Sequence, residues 1–345
     1  MGTTINRKLA SVQRIEEIRD IDGADSIQAY RVGGWWVVDK KHQYVVGELA
    51  VFISIDSWVP HSIAPFLSKG QEPCEYNGVR GERLRTIRLR NTLSQGLILP
   101  IGVLGEVRVE LIEGTDVSEL LGIQKWEAPI PAQLAGEARG SFPGFIPKTD
   151  QERIQNLSKE LAAWIGEGLQ FEVTEKLDGS SMTVYTFAGD EGVCPRNLNL
   201  LETKHNTLWS VCRRERLLDK IAGRDIALQG ELIGEGIQGN PYKIKGQDFF
   251  VFDIFDIGAG RYLSPQERVE FCKTNDIKHV PVLVARAELV DTLGLISVDQ
   301  ILGFAEGKSV QGSASPQREG VVFKCIERPH VSFKAISNVH LLQEK

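Results

Sequence analysis

Between Phe171 and Phe187 two strand-forming runs meet at one short charged break: Phe171 to Lys176, then Leu177-Asp178-Gly179, then Met182 to Phe187. β-Branched and aromatic residues fill both runs, and glycine lets the chain turn tightly close to a ligand. A lysine at a strand end, two residues before a carboxylate, is either a solvated turn or a tuned amine. A free lysine is protonated at neutral pH, with a pKa near ~10.4. To attack as a nucleophile it must lose that proton, and a shift of about three units corresponds to roughly 4 kcal/mol. Asp178 alone would raise the pKa of Lys176. It makes chemical sense as a holder of Mg2+ or its water shell, with the metal offsetting its charge.

The chain has 345 residues, enough for two domains. Residues 1–125 read as short strands with turns: Ile27 to Val32, Trp35 to Val38, Ala50 to Ile55, Arg85 to Arg90 and Gly96 to Pro100. Arg85-Thr86-Ile87-Arg88-Leu89-Arg90 alternates in period two, as a half-buried strand does. About five short strands suit a small barrel such as an OB-fold. Residues 126–148, with Pro129, Pro131, Pro143 and Pro147, form an irregular connector. Thr149-Asp150-Gln151-Glu152 then reads as a capping box opening a helix whose apolar stripe is Ile154, Leu157, Leu161, Trp164 and Ile165. Beyond it strands and helices alternate, with a helix expected over Leu208 to Ile221 and strands over Asp225 to Leu232, Asp248 to Ile257 and Gly320 to Ile326.

Charged residues make up 25% and hydrophobic ones 42%, a soluble balance, and no apolar run approaches membrane-spanning length. Five scattered cysteines without C-x-x-C spacing argue against a disulfide framework or structural zinc and for a reducing cytoplasm. The net charge of −6 does not advertise a nucleic-acid binder, although a local basic patch can still do that work. No G-x-x-x-x-G-K-[ST] occurs, so the P-loop phosphate cradle is not available.

Other chemistry-bearing residues fall at strand positions: Glu231 in Gln229-Gly230-Glu231-Leu232, Glu319 and Lys324 in Glu319-Gly320-Val321-Val322-Phe323-Lys324, and Lys334 in Ser332-Phe333-Lys334-Ala335. Phe250 and Phe252 share one face of an aromatic strand on which a purine can stack. Each has a bland reading as turn, core or solvated charge. Their order and spacing together are harder to explain that way.

The ordered set resembles the covalent nucleotidyltransferases, the polynucleotide ligases and mRNA capping enzymes. Lys176-Leu177-Asp178-Gly179 is similar to motif I, whose lysine becomes attached to a nucleoside monophosphate. Arg196-Asn197 resembles motif Ia, Glu231 motif III, Phe249 to Asp253 motif IIIa, Glu319 to Lys324 motif IV, and Lys334 motif V. Glu231-Leu232-Ile233-Gly234 with Gly236-Ile237-Gln238-Gly239-Asn240, and Ser332 to Asn338, resemble the RNA ligases of the Naegleria and Deinococcus type. Classical DNA ligases and capping enzymes carry an OB domain after motif V. Here only a short stretch follows Lys334, and the barrel-like segment comes first.

The resemblance implies an α+β protein: an N-terminal OB-like barrel (1–125), a connector (126–148) and a ligase domain of antiparallel sheets flanked by helices (149–345). It implies ATP and Mg2+ or Mn2+ as cofactors. Lys176 is the implied nucleophile, with Lys334 and Lys324 as fixed cations. Ile336 stands where related ligases often have a second motif V lysine, which makes Lys324 the candidate replacement. Asp178, Glu231 and Glu319 are implied to hold metal through waters. Glu175, Leu177, Arg196, Asn197, Glu231, Phe250, Phe252 and Glu319 are implied to contact the nucleotide. The implied partner is RNA with 3′-OH and 5′-phosphate ends, in a nicked duplex, joined by a monomer. Candidates to meet RNA are Arg80, Arg83, Arg85, Arg88 and Arg90, and Arg213, Arg214 and Arg216, with Trp35, Trp36 or Tyr44 as stacking surfaces. A DNA ligase, a guanylyltransferase of capping type and a catalytically decayed RNA-binding protein remain alternatives.

Overall fold

In the computed structural model, residues 8–106, 111–129, 134 and 136–343 are described. Residues 1–7 and Pro131 of the connector lie outside them. Contacts divide the chain into two units, one built on Ile5–Pro129 and the other on Ile130–Ile154 and Lys159–Lys345. Gln155–Ser158 packs with the first unit.

The first unit is all short strands. β1 (Ala10–Arg14), β5 (Leu49–Ile53) and β11 (Leu97–Pro100) form one antiparallel ladder, and β2 (Glu17–Asp20), β3 (Ile27–Val32) and β4 (Trp35–Lys40) a second. β6 (Ser57–Pro60), β7 (Cys74–Tyr76), β8 (Val79–Arg83) and β12 (Gln124–Lys125) form a third, and β9 (Thr86–Leu89) and β10 (Thr92–Gln95) a hairpin. There are more strands than the five expected. Glu17-Ile18-Arg19-Asp20 and Cys74-Glu75-Tyr76 have no apolar run of their own and are strands because β3 and β8 pair with them. Val12, Val51, Ile53, Val59, Leu84 and Leu99 meet in the core.

Two readings of this unit are corrected. Trp35 and Tyr44 are core residues, 2% and 3% exposed, and Trp36 lies under the Arg19 guanidinium at 4.2 Å. Neither Trp35 nor Tyr44 offers a stacking surface. The Arg85 to Arg90 stretch is not half-buried either: Ile87 and Leu89 are 49% and 36% exposed, and Arg85, Arg88 and Arg90 are exposed too. The turn places Arg90 and Asn91 at positive φ, 45° and 65°, the twist that a two-residue hairpin requires. The β10 end is pinned where Ser94 Oγ accepts from the Val38 N–H at 2.9 Å.

The second unit holds two five-stranded sheets. The first runs β14 (Glu152–Arg153), β24 (Ser332–Ile336), β23 (Gly320–Cys325), β15 (Gln170–Lys176), β22 (Val282–Glu288). The second runs β17 (Asp190–Cys194), β16 (Ser180–Phe187), β19 (Ile226–Gly234), β20 (Gln247–Asp256), β21 (Arg261–Tyr262). β13 (Ala138–Ser141) pairs with β18 (Leu198–Leu200). The two five-stranded sheets are antiparallel except for β14 against β24. The helices are α1 (Ser158–Gly166), α2 (Thr207–Arg214), α3 (Leu217–Ile221), α4 (Pro265–Thr274), α5 (Val298–Ala305) and α6 (Asn338–Leu341).

The capping box at Thr149 to Glu152 opens no helix. Arg196 takes the Asp150 carboxylate at 2.8 Å, β24 takes the backbone of Glu152–Arg153, and α1 starts only at Ser158. The single helix expected over Leu208 to Ile221 is two, broken where Arg216 turns left-handed at φ 54°.

Alternation gives the first sheet two faces of opposite character. Phe171, Phe323 and Phe333 form an apolar face under α1, with Trp164 stacked on Phe333 at 5.6 Å and Phe323 on Phe333 at 4.7 Å. Glu172, Thr174 and Lys176 point the other way, with Lys324 beside Glu172 and Lys334 beside Val322. This face reaches the second sheet through a buried charge network. Arg268 of α4 bonds Glu172, and Lys324 Nζ bonds Asp253 and donates to Phe252 O at 2.7 Å. Arg268 Nε also donates to His279 Nε2 at 2.8 Å, leaving Nδ1 to donate to Val280 O. The imidazole is therefore neutral in a fixed tautomer.

Burial, then the Arg268 charge, push the His279 pKa down to about 3. Below its ordinary value the unfolded chain takes up a proton that the native state refuses. Stability therefore falls as pH drops from about 6.5 toward 3. At pH 5 this group should cost about 2 kcal/mol relative to pH 7. A His279→Gln variant keeps an acceptor for Arg268 without the titration, so its loss between pH 7 and 5 should be smaller by about that amount. Denaturant midpoints at the two pH values measure it, and equal losses would contradict the assignment.

Candidate active site

β15 delivers Lys176 and β23 delivers Glu319, one residue before the register pair Lys176 and Gly320. Lys176 Nζ donates to both Glu319 oxygens, each at 2.7 Å. Lys176 is 28% exposed and Glu319 14%, so the pair is only partly screened. Burial alone works to lower the Lys176 pKa, but Glu319, Glu231 and Asp178 together outweigh it and hold the ammonium above its ordinary value. In this state the amine is charged and pinned.

Glu231 reaches the cluster from β19, where it pairs with Ser181 of β16 and Phe250 of β20. Burial pushes its carboxyl up to about 8 against the pull of Lys176, and Glu319 and Asp178 add to the rise. Gly179 is glycine for lack of space, because a Cβ there would lie 2.4 Å from Leu232 O and 2.9 Å from Glu231 Cγ. The turn carrying Asp178 thus presses on the strand carrying Glu231. Carboxylates that oppose each other's ionisation form a site that a divalent cation relieves. Among the described residues no three His, Cys, Asp or Glu side chains are placed to hold an ion directly.

Other expected residues line the surroundings. Phe250 and Phe252 share a face with Leu177, Ile233, Tyr242 and Val280, with Phe250 only 7% exposed and Phe252 more open. Glu175 Oε2 accepts from the Val310 N–H at 3.0 Å, while Oε1 is buried with no hydrogen-bond partner among the described residues. Arg196 pairs with Asp150, and the Asn197 Oδ1 accepts from Lys148 Nζ at 2.8 Å. Lys148, Asp150, Ser181, Thr183, Arg196 and Gln229 line a small polar recess beside Glu231.

Lys324 is expected beside the leaving group, and the structure gives it another setting. Its register partner is Glu172, four residues along β15 from Lys176. It is 8% exposed and held by Asp253, and burial pushes its pKa down to about 8. The basic candidates also divide. Arg80 pairs with Glu72, Arg213 with Glu202, Arg214 with Glu215 and Arg216 with Asp219. Arg83 bonds Asp56 at 2.7 Å and stacks on Trp126 at 3.8 Å, which makes it a structural residue. Arg85, Arg88 and Arg90 are exposed and form no ion pair among the described residues.

Three residues at the site escape sequence reasoning. Arg153, 7% exposed on β14, is the parallel register partner of Lys334 and places a second cation beside it. Arg318 caps the end of α5, donating to Ala305 O at 2.9 Å and Glu306 O at 2.8 Å, and so anchors the residue before Glu319. Tyr242 Oη accepts from the Asp178 N–H at 2.6 Å. Arg153 lies where a helix is expected, and the other two act through contacts made across the fold.

The likeness to known proteins runs along the whole chain. An RNA ligase family profile matches residues 169–336, and an OB-fold domain profile matches residues 9–101. Solved structures of Naegleria gruberi RNA ligase superpose closely. A variant with AMP and Mn is 45% identical, with TM-score 0.88 over 98% of this chain and 99% of that one. A variant with ATP and Mn is 46% identical, with TM-score 0.87 over the same shares. The enzyme with PPi is 46% identical, with TM-score 0.86 over 97% and 98%. No curated protein matches. With an OB-fold domain followed by a sheet-rich nucleotidyltransferase domain, the chain belongs to the RNA ligase family.

Proposed function

We infer that this chain seals RNA 3′-OH and 5′-phosphate ends with ATP, through an AMP carried on Lys176. The observation that carries the reading is Lys176 Nζ held by Glu319 at 2.7 Å, with Glu231 and Asp178 acting on the same charge. Mg2+ or Mn2+, held through water by Asp178, Glu231 and Glu319, neutralises those carboxylates and the α-phosphate.

Lys176 Nζ, once freed of its proton, attacks the α-phosphorus of ATP. A P–N bond forms, and the bond to pyrophosphate breaks. An oxygen of the RNA 5′-phosphate then attacks that phosphorus, and Lys176 leaves with a proton restored. Finally the 3′-OH attacks the activated 5′-phosphate and AMP departs. Each transfer is mostly positioning and charge neutralisation. Lys334, with Arg153 beside it, supplies fixed positive charge to the phosphates. The unpartnered Glu175 Oε1 suits the exocyclic amine of adenine, and Phe252, the more open of the two rings, suits stacking on the base. Arg196 and Asn197 sit on the ribose and phosphate side. Lys324 acts at one remove, fixing Phe252 through its carbonyl.

In this reading residues 149–345 carry the transfer chemistry, and residues 1–125, beyond the 126–148 connector, meet the RNA. Arg85, Arg88 and Arg90 on the β9–β10 hairpin are the phosphate contacts. The substrate is a nicked duplex and the protein acts as a monomer. The protein works in a reducing cytoplasm, a reading that the free cysteines, four of them buried, support.

Incubation with α-32P-labelled ATP and Mg2+ or Mn2+ should label the protein, and Lys176→Ala should abolish the label. A wild-type protein that takes no label with either metal rules the reading out. Labelling from GTP but not ATP would indicate capping instead, and equal sealing of nicks with DNA or RNA 3′-OH strands would indicate a general polynucleotide ligase.

Replacing Arg85, Arg88 and Arg90 together by Gln should leave labelling intact. It should lower the slope of log affinity against log salt for nicked RNA by about 3, near 0.9 per phosphate contact. An unchanged slope would move the RNA contacts elsewhere.

A further inference from the structure

After Lys176 the chain leaves β15 for three residues before β16 begins. That short turn is held from a loop whose side chains have no role in the proposed transfers. The Asp178 N–H donates to Tyr242 Oη at 2.6 Å, and Gln238 Nε2 donates to Gly179 O at 3.3 Å. Both side chains come from residues 235–246, between β19 and β20.

The loop is itself firmly shaped. The Glu235 N–H donates to Gly246 O at 2.7 Å, closing it at the base. Asn240 bonds Ile244 twice, accepting from its N–H at 3.1 Å and donating to its carbonyl at 2.9 Å. Gln238, Asn240 and Lys243 take positive φ of 46°, 50° and 52°, a winding that suits tight turns. Tyr242 is 1% exposed among Leu177, Ile233, Phe250 and Val280. A second loop presses on it, since a Cβ at Gly312 would lie 2.5 Å from Tyr242 O. The ring is buried, and packing alone would be served as well by phenylalanine. The hydroxyl adds one thing: a partner for a backbone N–H that belongs to the turn between Lys176 and Gly179.

The geometry points to Tyr242 as a positioning residue for lysine adenylylation, its hydroxyl fixing the turn that orients Lys176 and Asp178, with Gln238 as a second hold. This rests on the reading of Lys176 as the nucleophile. Lys176 and Asp178 must meet the same α-phosphate, and a displacement of about 1 Å in such a constellation can cost about a hundredfold in rate. Transfer of AMP to Lys176 uses this turn directly. Sealing of a strand that already carries AMP on its 5′-phosphate does not use Lys176 as a nucleophile, so it separates positioning from folding.

The test compares wild type, Tyr242→Phe and Gln238→Met in two assays. One is single-turnover labelling by α-32P-labelled ATP at saturating ATP, and the other is sealing of a nicked duplex with a pre-adenylylated 5′ end. Tyr242→Phe should label about tenfold more slowly, with KM for ATP changed less than about twofold and pre-adenylylated sealing within about threefold. Gln238→Met, at an exposed position, should label about threefold more slowly. Wild-type labelling rates in both variants would overturn the proposal. So would an equal loss in both assays, the signature of a merely structural role. Should Tyr242→Phe fail to fold, the Gln238→Met rates decide. Failure of the wild type itself to take label would instead overturn the nucleophile reading.

Discussion

The candidate site is organised around one ion pair, the ammonium of Lys176 between the two oxygens of Glu319 at 2.7 Å. It joins the strand that presents the amine to the strand that presents the acid. It also sets the electrostatic problem of the site. Three carboxylates stabilise a charge that the proposed reaction must remove, and burial first, with Glu319 and Asp178 adding to it, raises the Glu231 carboxyl to about 8. A positive charge arriving beside the acids relieves both strains together. It weakens the hold on the Lys176 proton and makes ionised Glu231 acceptable. In the proposed reaction the resting arrangement is closed to attack by its own electrostatics, and cation and nucleotide would open it.

The parts of this site that sequence could reveal are those written in local pattern. Strands β15, β16, β19, β20 and β23 are β-branched or aromatic runs of ordinary period; Lys176 and Glu231 sit on them, Asp178 and Glu319 lie just beyond the ends of β15 and β23, and Lys334 sits on β24. What stayed hidden depends on partners distant in the chain. Glu152–Arg153 looks like the start of a helix because Thr149 to Glu152 has the composition of a cap, yet the carboxylate that would cap it belongs to Arg196 and the backbone to β24. Arg153 reaches Lys334 only through that pairing. Arg83 could not be told from Arg85 by composition, and only Trp126 and Asp56 separate them. The alternation from Arg85 to Arg90 promised one buried face, but a two-stranded hairpin pinned at one end buries neither.

Lys324 shows the same limit in its clearest form. Its motif suggests a catalytic cation, while its surroundings make it part of a closed network with Asp253, Arg268 and Glu172. A buried lysine whose pKa falls to about 8 is an expensive component unless each charge has its partner. Here the partners come from β15, β20, β23 and α4, so the network holds the two sheets in one register. A hydrophobic replacement would pack, but it would not tell Phe252 where to stand. The carbonyl of that ring's own residue is the group Lys324 holds.

The turn after Lys176 is fixed by the same logic on a smaller scale. Gly179 removes the side chain that would keep β19 away, Tyr242 and Gln238 hold the backbone from a neighbouring loop, and Arg318 anchors the approach to Glu319 by capping α5. None of these residues needs to touch the nucleotide for the site to depend on them. Charge draws the acids and the lysine together, but charge is poorly directional and would tolerate many arrangements. Hydrogen bonds to backbone N–H and carbonyl groups are directional, and they reduce those arrangements to one. The electrostatic cluster thus defines what the site can do, and the uncharged contacts behind it define where it can be done.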